Sequence, residues 1–238
     1  MSKIALLVIL ILQSLHAQLV MRRTALAAGG GGGGGITFDV AAPAVANVGT
    51  SLSWTHTTGS LTHGVMIVGI VHNVPSATGT CTYNSVSMTN IGYQDMDSGV
   101  GRVSLFKLVA PASGSHTVAC TVSSSTGVVT GYSATFAGVD QTTVNRTLVS
   151  LSNNSTNPSL TVSNAVSGDM VVDIVGTYNA GANITVGAGQ TQMLLQDAPA
   201  GTDYHAGGSY KAATGSTVMS WTSVSTFWGY IAVALIPG

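Results

Sequence analysis

Leu52-Ser-Trp-Thr55 alternates apolar and polar residues, whereas Gly64-Val-Met-Ile-Val-Gly-Ile-Val71, only a few turn residues later, is apolar throughout. Period-two alternation marks a strand with one wet face, and a short β-branched apolar run marks a strand covered on both faces. The same two textures recur along the chain. Ile36-Thr-Phe-Asp-Val40, Cys81-Thr-Tyr83, Val86-Ser-Met88, His116-Thr-Val-Ala-Cys-Thr-Val122, Tyr132-Ser-Ala-Thr-Phe136, Thr147-Leu-Val-Ser-Leu151, Leu160-Thr-Val162, Gln192-Met-Leu-Leu195 and Val218-Met-Ser-Trp221 are short and β-prone. Arg102-Val-Ser-Leu-Phe-Lys-Leu-Val109, Met170-Val-Val-Asp-Ile-Val175 and Trp228-Gly-Tyr-Ile-Ala-Val-Ala-Leu-Ile236 are longer and more apolar. Val, Thr, Ser, Tyr and Ile dominate, which suits pleated surfaces. Strands at this spacing with turn signals between them predict an all-β, antiparallel sandwich or barrel over residues 36–238.

The composition excludes several classes. Of 238 residues, 45% are hydrophobic and 6% charged, and mean hydropathy is +0.42. Ordinary soluble chains carry roughly 25% charge. All eight acids are Asp, and there is no Glu. A disordered chain is apolar-poor and charge-rich, so this is not one. Seven cations are too few for a basic-patch contact with nucleic acid. From Ile36 onward, four cations (Arg102, Lys107, Arg146, Lys211) oppose all eight Asp, so the body is mildly acidic. So little charge gives little repulsion between copies, which points to a surface covered by neighbours, a homo-oligomer among the options; a Ser/Thr/Asn-rich soluble surface is the alternative.

Residues 1–28 read differently. Ile4, Leu6, Leu7, Val8, Ile9, Leu10, Ile11 and Leu12 belong to one nine-residue apolar run behind Lys3. The run is too short for a stable membrane span, which takes about 20 residues. It has two readings: a hydrophobic arm, with helix permitted by the absence of Gly and Pro, that anchors the protein in a partner; or a secretion signal. As a signal it is imperfect, because a cut after Ala17 leaves Leu15 where a small residue is preferred. Gly29 to Gly35 is an unbroken heptaglycine. It is a hinge or spacer, with Gly29, Gly32 and Gly35 as its first, middle and last residues, and it spans roughly 15 Å on average as a flexible chain. The expected organisation is therefore arm 1–28, tether 29–35 and sandwich 36–238.

The body carries a resemblance. Ile36-Thr-Phe-Asp39, Leu52-Ser-Trp-Thr-His56 and Val65-Met-Ile-Val-Gly-Ile70 resemble the opening of a jelly-roll family found in bacteriophage structural proteins and secreted bacterial proteins. Cys81-Thr-Tyr-Asn84 with Val86-Ser-Met-Thr89 is similar to that family's Val-Thr-Tyr-Asn-Gly-x-x-Met-Thr block. Leu105–Ala112, Phe136–Thr142, Gly187–Thr191, Val218–Trp221 and Trp228–Pro237 resemble later blocks. The resemblance implies a single jelly-roll-like body and an architectural role without catalytic motif, cofactor or metal. The expected function is a non-enzymatic virion component (capsid decoration, head fibre or tail-associated), with other virion proteins as partners. The alternative is a secreted cell-surface or adhesion module, with glycan as a ligand.

Candidate chemistry is sparse. Cys81 and Cys120 fall in strands and form either a disulfide, which would suit an extracellular life, or two buried thiols. His56, His63 and His72 sit in or beside neighbouring strands, without the spacing of a zinc motif. Asp95-Met-Asp97-Ser-Gly99 lacks the further ligands of a calcium loop. Asp173 interrupts the apolar run 170–175 and is the carboxylate most worth tracing. Gly131-Tyr-Ser-Ala-Thr135 fails the nucleophile-elbow pattern at its last position. Asn145, Asn153, Asn154 and Asn183 head glycosylation sequons. Trp54, Trp221 and Trp228 lie in the strand pattern as core residues rather than sugar platforms.

Overall fold

A computed structural model of the chain describes residues 35–43, 46–124, 127–178, 184–197, 203–224 and 226–238. The anchoring residues Ile4, Leu6, Leu7, Val8, Ile9, Leu10, Ile11 and Leu12, together with Gly29 and Gly32, lie outside the described residues. Gly35 is exposed and leads into the first strand.

The first half holds β1 (Thr37–Pro43), β2 (Asn47–Val48), β3 (Ser51–Thr58), β4 (Val65–His72), β5 (Gly79–Tyr83), β6 (Val86–Ser87), β7 (Thr89–Asp95), β8 (Arg102–Val109), β9 (Gly114–Val122) and β10 (Val128–Ala137). The second half holds β11 (Val149–Ser155), β12 (Ser159–Val162), β13 (Met170–Tyr178), β14 (Thr185–Val186), β15 (Thr191–Asp197), β16 (Tyr204–Ala212), β17 (Thr217–Thr222) and β18 (Thr226–Leu235). Among the described residues the one helical piece is a 3₁₀ turn at Asp97–Gly99, and no helix is long and apolar enough to cross a membrane.

The protein is an all-β antiparallel sandwich, and its topology occurs twice. The first half forms a large sheet ordered β1-β10-β4-β8-β7, with β2 also on β10, and a small sheet ordered β3-β9-β5-β6. The second half forms β11-β18-β13-β16-β15 and β12-β17-β14. Apart from β2 and β6, which have no counterpart in the second half, the two orders match strand for strand in the same jelly-roll-like wrap. The sequence reading expects one sandwich over this stretch; the strand order resolves it into two copies within one compact unit, Gly34–Gly238.

Three apolar cores show how the sheets stack. Ile67, Val71, Leu105, Tyr132 and Phe136 of the first large sheet pack with Val172, Ile174, Leu194, Ile231 and Val233 of the second. The opposite face of the first large sheet (Met66, Val68, Ile70) meets the small sheet through Leu52, Trp54, Tyr83, Val118 and Cys120. The opposite face of the second (Val171, Val175, Tyr230) meets its own small sheet through Leu160, Val162, Met219 and Trp221. The result is four layers, with the two large sheets inside. This explains the two textures of the sequence. Strand β4 is buried at every position, because both its faces are covered, while β3 alternates exposed and buried along its whole length.

Consecutive glycines permit the close approach of the layers. A Cβ on Gly208 would lie 2.5 Å from the Tyr132 ring, and one on Gly69 would lie 2.6 Å from the same ring. On the other face of β16, a Cβ on Gly207 would lie 2.7 Å from Trp221. Tyr132 and Trp221 therefore lie flat on bare backbone, one on each side of the same strand. The Tyr132 hydroxyl crosses the central interface and donates to the Asp173 carbonyl at 2.8 Å.

Candidate functional site

Four polar groupings interrupt the apolar layers. In the first, alternation on β3 turns Trp54 and His56 inward, where they meet Ser133 and Thr135 of β10. Trp54 Nε1 donates to Ser133 Oγ at 2.9 Å, and Ser133 Oγ lies 2.7 Å from His56 Nδ1. His56 Nε2 lies 3.3 Å from Thr135 Oγ1, which donates to Asp39 Oδ2 at 2.8 Å. The Gly59 amide donates to the same oxygen at 3.0 Å. For a neutral ring the links fix the tautomer: Ser133 donates to Nδ1, and Nε2–H donates to Thr135. Burial keeps the imidazole neutral, lowering its pKa from 6.5 to about 4, with Asp39 opposing. A serine on a histidine, with a carboxylate beyond, is the vocabulary of acyl transfer. Here Thr135 stands between base and carboxylate, and Ser133 and His56 are both wholly buried, so no substrate carbonyl reaches the hydroxyl. The chain of donors is a structural plug.

The second grouping surrounds Asp173, in the opposite sandwich. Oδ1 accepts from the Ser209 amide at 2.7 Å and the Ser209 hydroxyl at 2.8 Å. Oδ2 accepts from Tyr230 at 2.5 Å and Trp221 Nε1 at 3.3 Å. Burial raises its pKa to about 6 although all of these donors favour the charged form. Tyr132 and Tyr230 are pushed well above the usual phenol value, first by burial and then by Asp173. Asp173 is inaccessible, so its perturbed pKa reports a packed hydrogen-bond centre rather than an acid in a cleft.

In the third, Arg146 of the connection between halves donates from Nε to Asp169 Oδ2 at 2.5 Å and from Nη2 to Oδ1 at 3.1 Å. The Val166 amide adds a bond at 2.9 Å to the buried carboxylate. This pair fastens the connection to the turn before β13.

The fourth lies at the margin of the first large sheet. The register places Asp95 of edge strand β7 opposite Arg102 of β8, and Arg102 opposite His72 of β4. Arg102 Nε and Nη2 grip the Asp95 carboxylate at 2.6 and 3.1 Å, and Nη1 donates to the Ala77 carbonyl at 3.0 Å. The Tyr93 ring covers the guanidinium, whose Cζ is 3.8 Å from the ring centre. The Arg102 hydrogen bonds hold the Asp95 carboxyl below its usual range. His72 is fully buried, and neither ring nitrogen makes a hydrogen bond of normal geometry. Its pKa falls to about 4 through burial and then Arg102, while the Val74 backbone and Asp95 pull the other way. Of these four, only this grouping reaches solvent with an aromatic ring.

The remaining sequence candidates are dispersed. Cys81 and Cys120 face each other in the register of β5 and β9 and are joined by a disulfide. A shallow groove of about 280 Å³ passes outside that bond, lined by Asn47, Ser51, Ser53, Ala119 and Thr121. His56 and His72 point into the core and His63 sits in a turn; among the described residues no group of three His, Cys or Asp lies close enough to share a metal ion. Asp97 lies in the 3₁₀ turn, and Asp95 is taken by Arg102. Trp54, Trp221 and Trp228 are buried. Asn153 and Asn154 are exposed on edge strand β11; Asn145 accepts from Lys107 and donates to the Arg146 carbonyl; Asn183 lies outside the described residues. Tyr93 and the Ser133–His56 pair escaped the sequence reading. The inward phase of Trp54 and His56 on an alternating strand was the available signal for the pair.

Comparisons with protein-family models, with curated proteins and with solved structures give no match.

Proposed function

We propose that this chain is a non-enzymatic structural component of a bacteriophage particle, joined to it through residues 1–28 and held on the heptaglycine tether. The observation that carries this reading is the poverty of free charge on the body. Arg102 and Arg146 are spent on Asp95 and Asp169. Lys107 donates to Asn145, and Lys211 to the Val218 carbonyl. What the small sheets turn outward is mostly hydroxyl: Ser51, Ser53, Thr55 and Thr57 on β3, Thr117 and Thr121 on β9, Ser159 and Thr161 on β12. Such a surface offers little electrostatic resistance to neighbours. Removing residues 1–35 is expected to leave a folded body that no longer joins particles. Incorporation of the truncated body at full occupancy overturns the anchor.

The disulfide favours a second reading, an exported surface module whose N-terminus is cleaved, because such bonds form in oxidising compartments. Intact mass of native material separates the two. A mass beginning at Met1 or Ser2 supports the anchored component, and a mass lacking residues 1–17 or 1–28 supports the exported module.

A further inference from the structure

The aromatic residues of this body are almost all spent on its cores. Trp54, Trp221, Trp228, Phe106, Phe136, Tyr83, Tyr132 and Tyr230 are buried. Among the described residues the one aromatic that is more than half exposed is Tyr93, at 55%. Its setting is unusual. Tyr93 and Asp95 share one face of edge strand β7, with Arg102 opposite Asp95 on β8, so the three form a shelf on which Tyr93 and Asp95 are partly open to water. One face of the ring rests on a guanidinium whose side chain is only 7% exposed and whose three nitrogens each donate a hydrogen bond. A cation under the ring, itself locked by a bidentate carboxylate, fixes the ring's position. The ring is held before anything binds, so little conformational entropy remains to be lost there.

The surroundings select the chemistry of an occupant. Tyr93 already carries a cation on one face, which lowers its attraction for a second. An anion would meet the Asp95 carboxylate, whose side chain is 39% exposed, on a body of four cations against eight Asp. What remains is a neutral ligand with a flat apolar face to lie on the ring and hydroxyl donors for the outer lone pairs of Asp95. A pyranose offers both, and tyrosine supplies rigid amphipathic contact area for it.

We infer that the shelf formed by Tyr93, Arg102 and Asp95 is a binding subsite for a neutral pyranose sugar, with the Tyr93 ring as its platform. The subsite does not rest on the assembly role proposed above, and its failure leaves that role untouched.

The test is saturation-transfer NMR on the full chain with maltohexaose, cellohexaose, chitohexaose and mannohexaose as probes. At least one is expected to receive saturation, strongest at the C–H protons of one ring face. Tyr93→Ala is expected to weaken that binding about tenfold, worth about 1.4 kcal/mol. Tyr93→Trp is expected to keep it, and Asp95→Asn to weaken it while retaining an acceptor. Near-UV circular dichroism of each variant checks that the fold persists, and Tyr93→Trp keeps the question answerable if Tyr93→Ala unfolds. Absence of transfer to all four probes overturns the inference. So does binding that Tyr93→Ala leaves unchanged, or sedimentation showing that Tyr93→Ala instead dissolves an oligomer.

Discussion

Acidification from pH 7 to pH 4 is expected to cost this protein about 4 kcal/mol of stability. His56 and His72 are each lowered from 6.5 to about 4 on folding. A folded pKa below the unfolded one means that the unfolded chain binds the proton first. The stability these residues confer is complete above pH 6.5 and is lost as the pH falls toward 4. Integrated over that window, each contributes a loss of about 3 kcal/mol. Asp173 works in the opposite sense. Its pKa rises from 3.8 to about 6, so the folded state takes up its proton first and gains about 2 kcal/mol on the same path. The two histidines outweigh it. Asp95, held low by Arg102, adds a further loss at the acid end. Urea unfolding followed by the fluorescence of the three buried tryptophans measures the sum. With slopes of about 1–3 kcal/mol per M, the midpoint falls by roughly 1–4 M between pH 7 and pH 4. His72→Leu leaves the Arg102 bonds to Asp95 and Ala77 in place and removes one of the two contributions, so the acid loss shrinks to about 1 kcal/mol. A midpoint at pH 4 equal to or above that at pH 7 refutes the reasoning, and an unchanged pH slope in His72→Leu refutes the part assigned to that residue.

Ser85 occupies the second position of a two-residue turn between β5 and β6, with φ of 65° after Asn84 at 48°. Both angles are left-handed, the geometry that selects Asn-Gly, so Ser85→Gly is expected to stabilise by about 1 kcal/mol and raise Tm by roughly 2–4 °C in thermal unfolding; a lowered Tm counts against the turn assignment. The Cys81–Cys120 bond spans 39 residues, so its loss in the Cys81→Ala, Cys120→Ala double variant costs about 4 kcal/mol by chain entropy. A urea midpoint unchanged by the double substitution, or by reductant in the parent, contradicts that.

How much of this was legible in the sequence follows from what each strand faces. Strands β3, β4, β10, β13 and β18 announce themselves, because alternation or an apolar run records how many faces are covered. Strands β7 and β16 do not. Strand β7 is an edge with Asn90 and Gly92 at a register shift and polar residues outward, so its pattern resembles a loop. Strand β16 carries Gly207-Gly208, which reads as a turn until Tyr132 and Trp221 are seen pressed against the two glycines. Missing those two strands conceals the repeat, because they complete the two large sheets. The halves also share phase rather than letters: β4 reads Val-Met-Ile-Val-Gly-Ile-Val-His and β13 reads Met-Val-Val-Asp-Ile-Val-Gly-Thr-Tyr. The pairing of Cys81 with Cys120 needed the register of β5 and β9, which no spacing rule supplies. Tyr93 drew no notice because its distinction lies in what is beneath it.

The doubling constrains how this body meets anything else. The central interface joins the inner faces of both large sheets with aliphatic and aromatic residues, tied across by Tyr132 to the Asp173 carbonyl. Half of the body alone would present Val65, Ile67, Tyr132 and Phe136 to water, an apolar patch of the kind that drives association. The two sandwiches therefore depend on one another, and the stretch between β10 and β11 is a structural strut fastened by Arg146 to Asp169 rather than a linker between independent modules. With both large sheets consumed internally, contact with a larger structure falls to the hydroxyl-bearing outer sheets, the edge strands β7 and β11, or the segment before Gly35. The outer sheets carry almost no charge to orient a partner, and hydroxyl arrays bind weakly. A tether that brings the body to its site supplies the local concentration that such faces lack, because an intramolecular second contact is favoured without any new strong interaction. On the role proposed above, a charge-poor body and a glycine-rich leader would be two halves of one arrangement: the leader would confer attachment, and the body need only tolerate its neighbours.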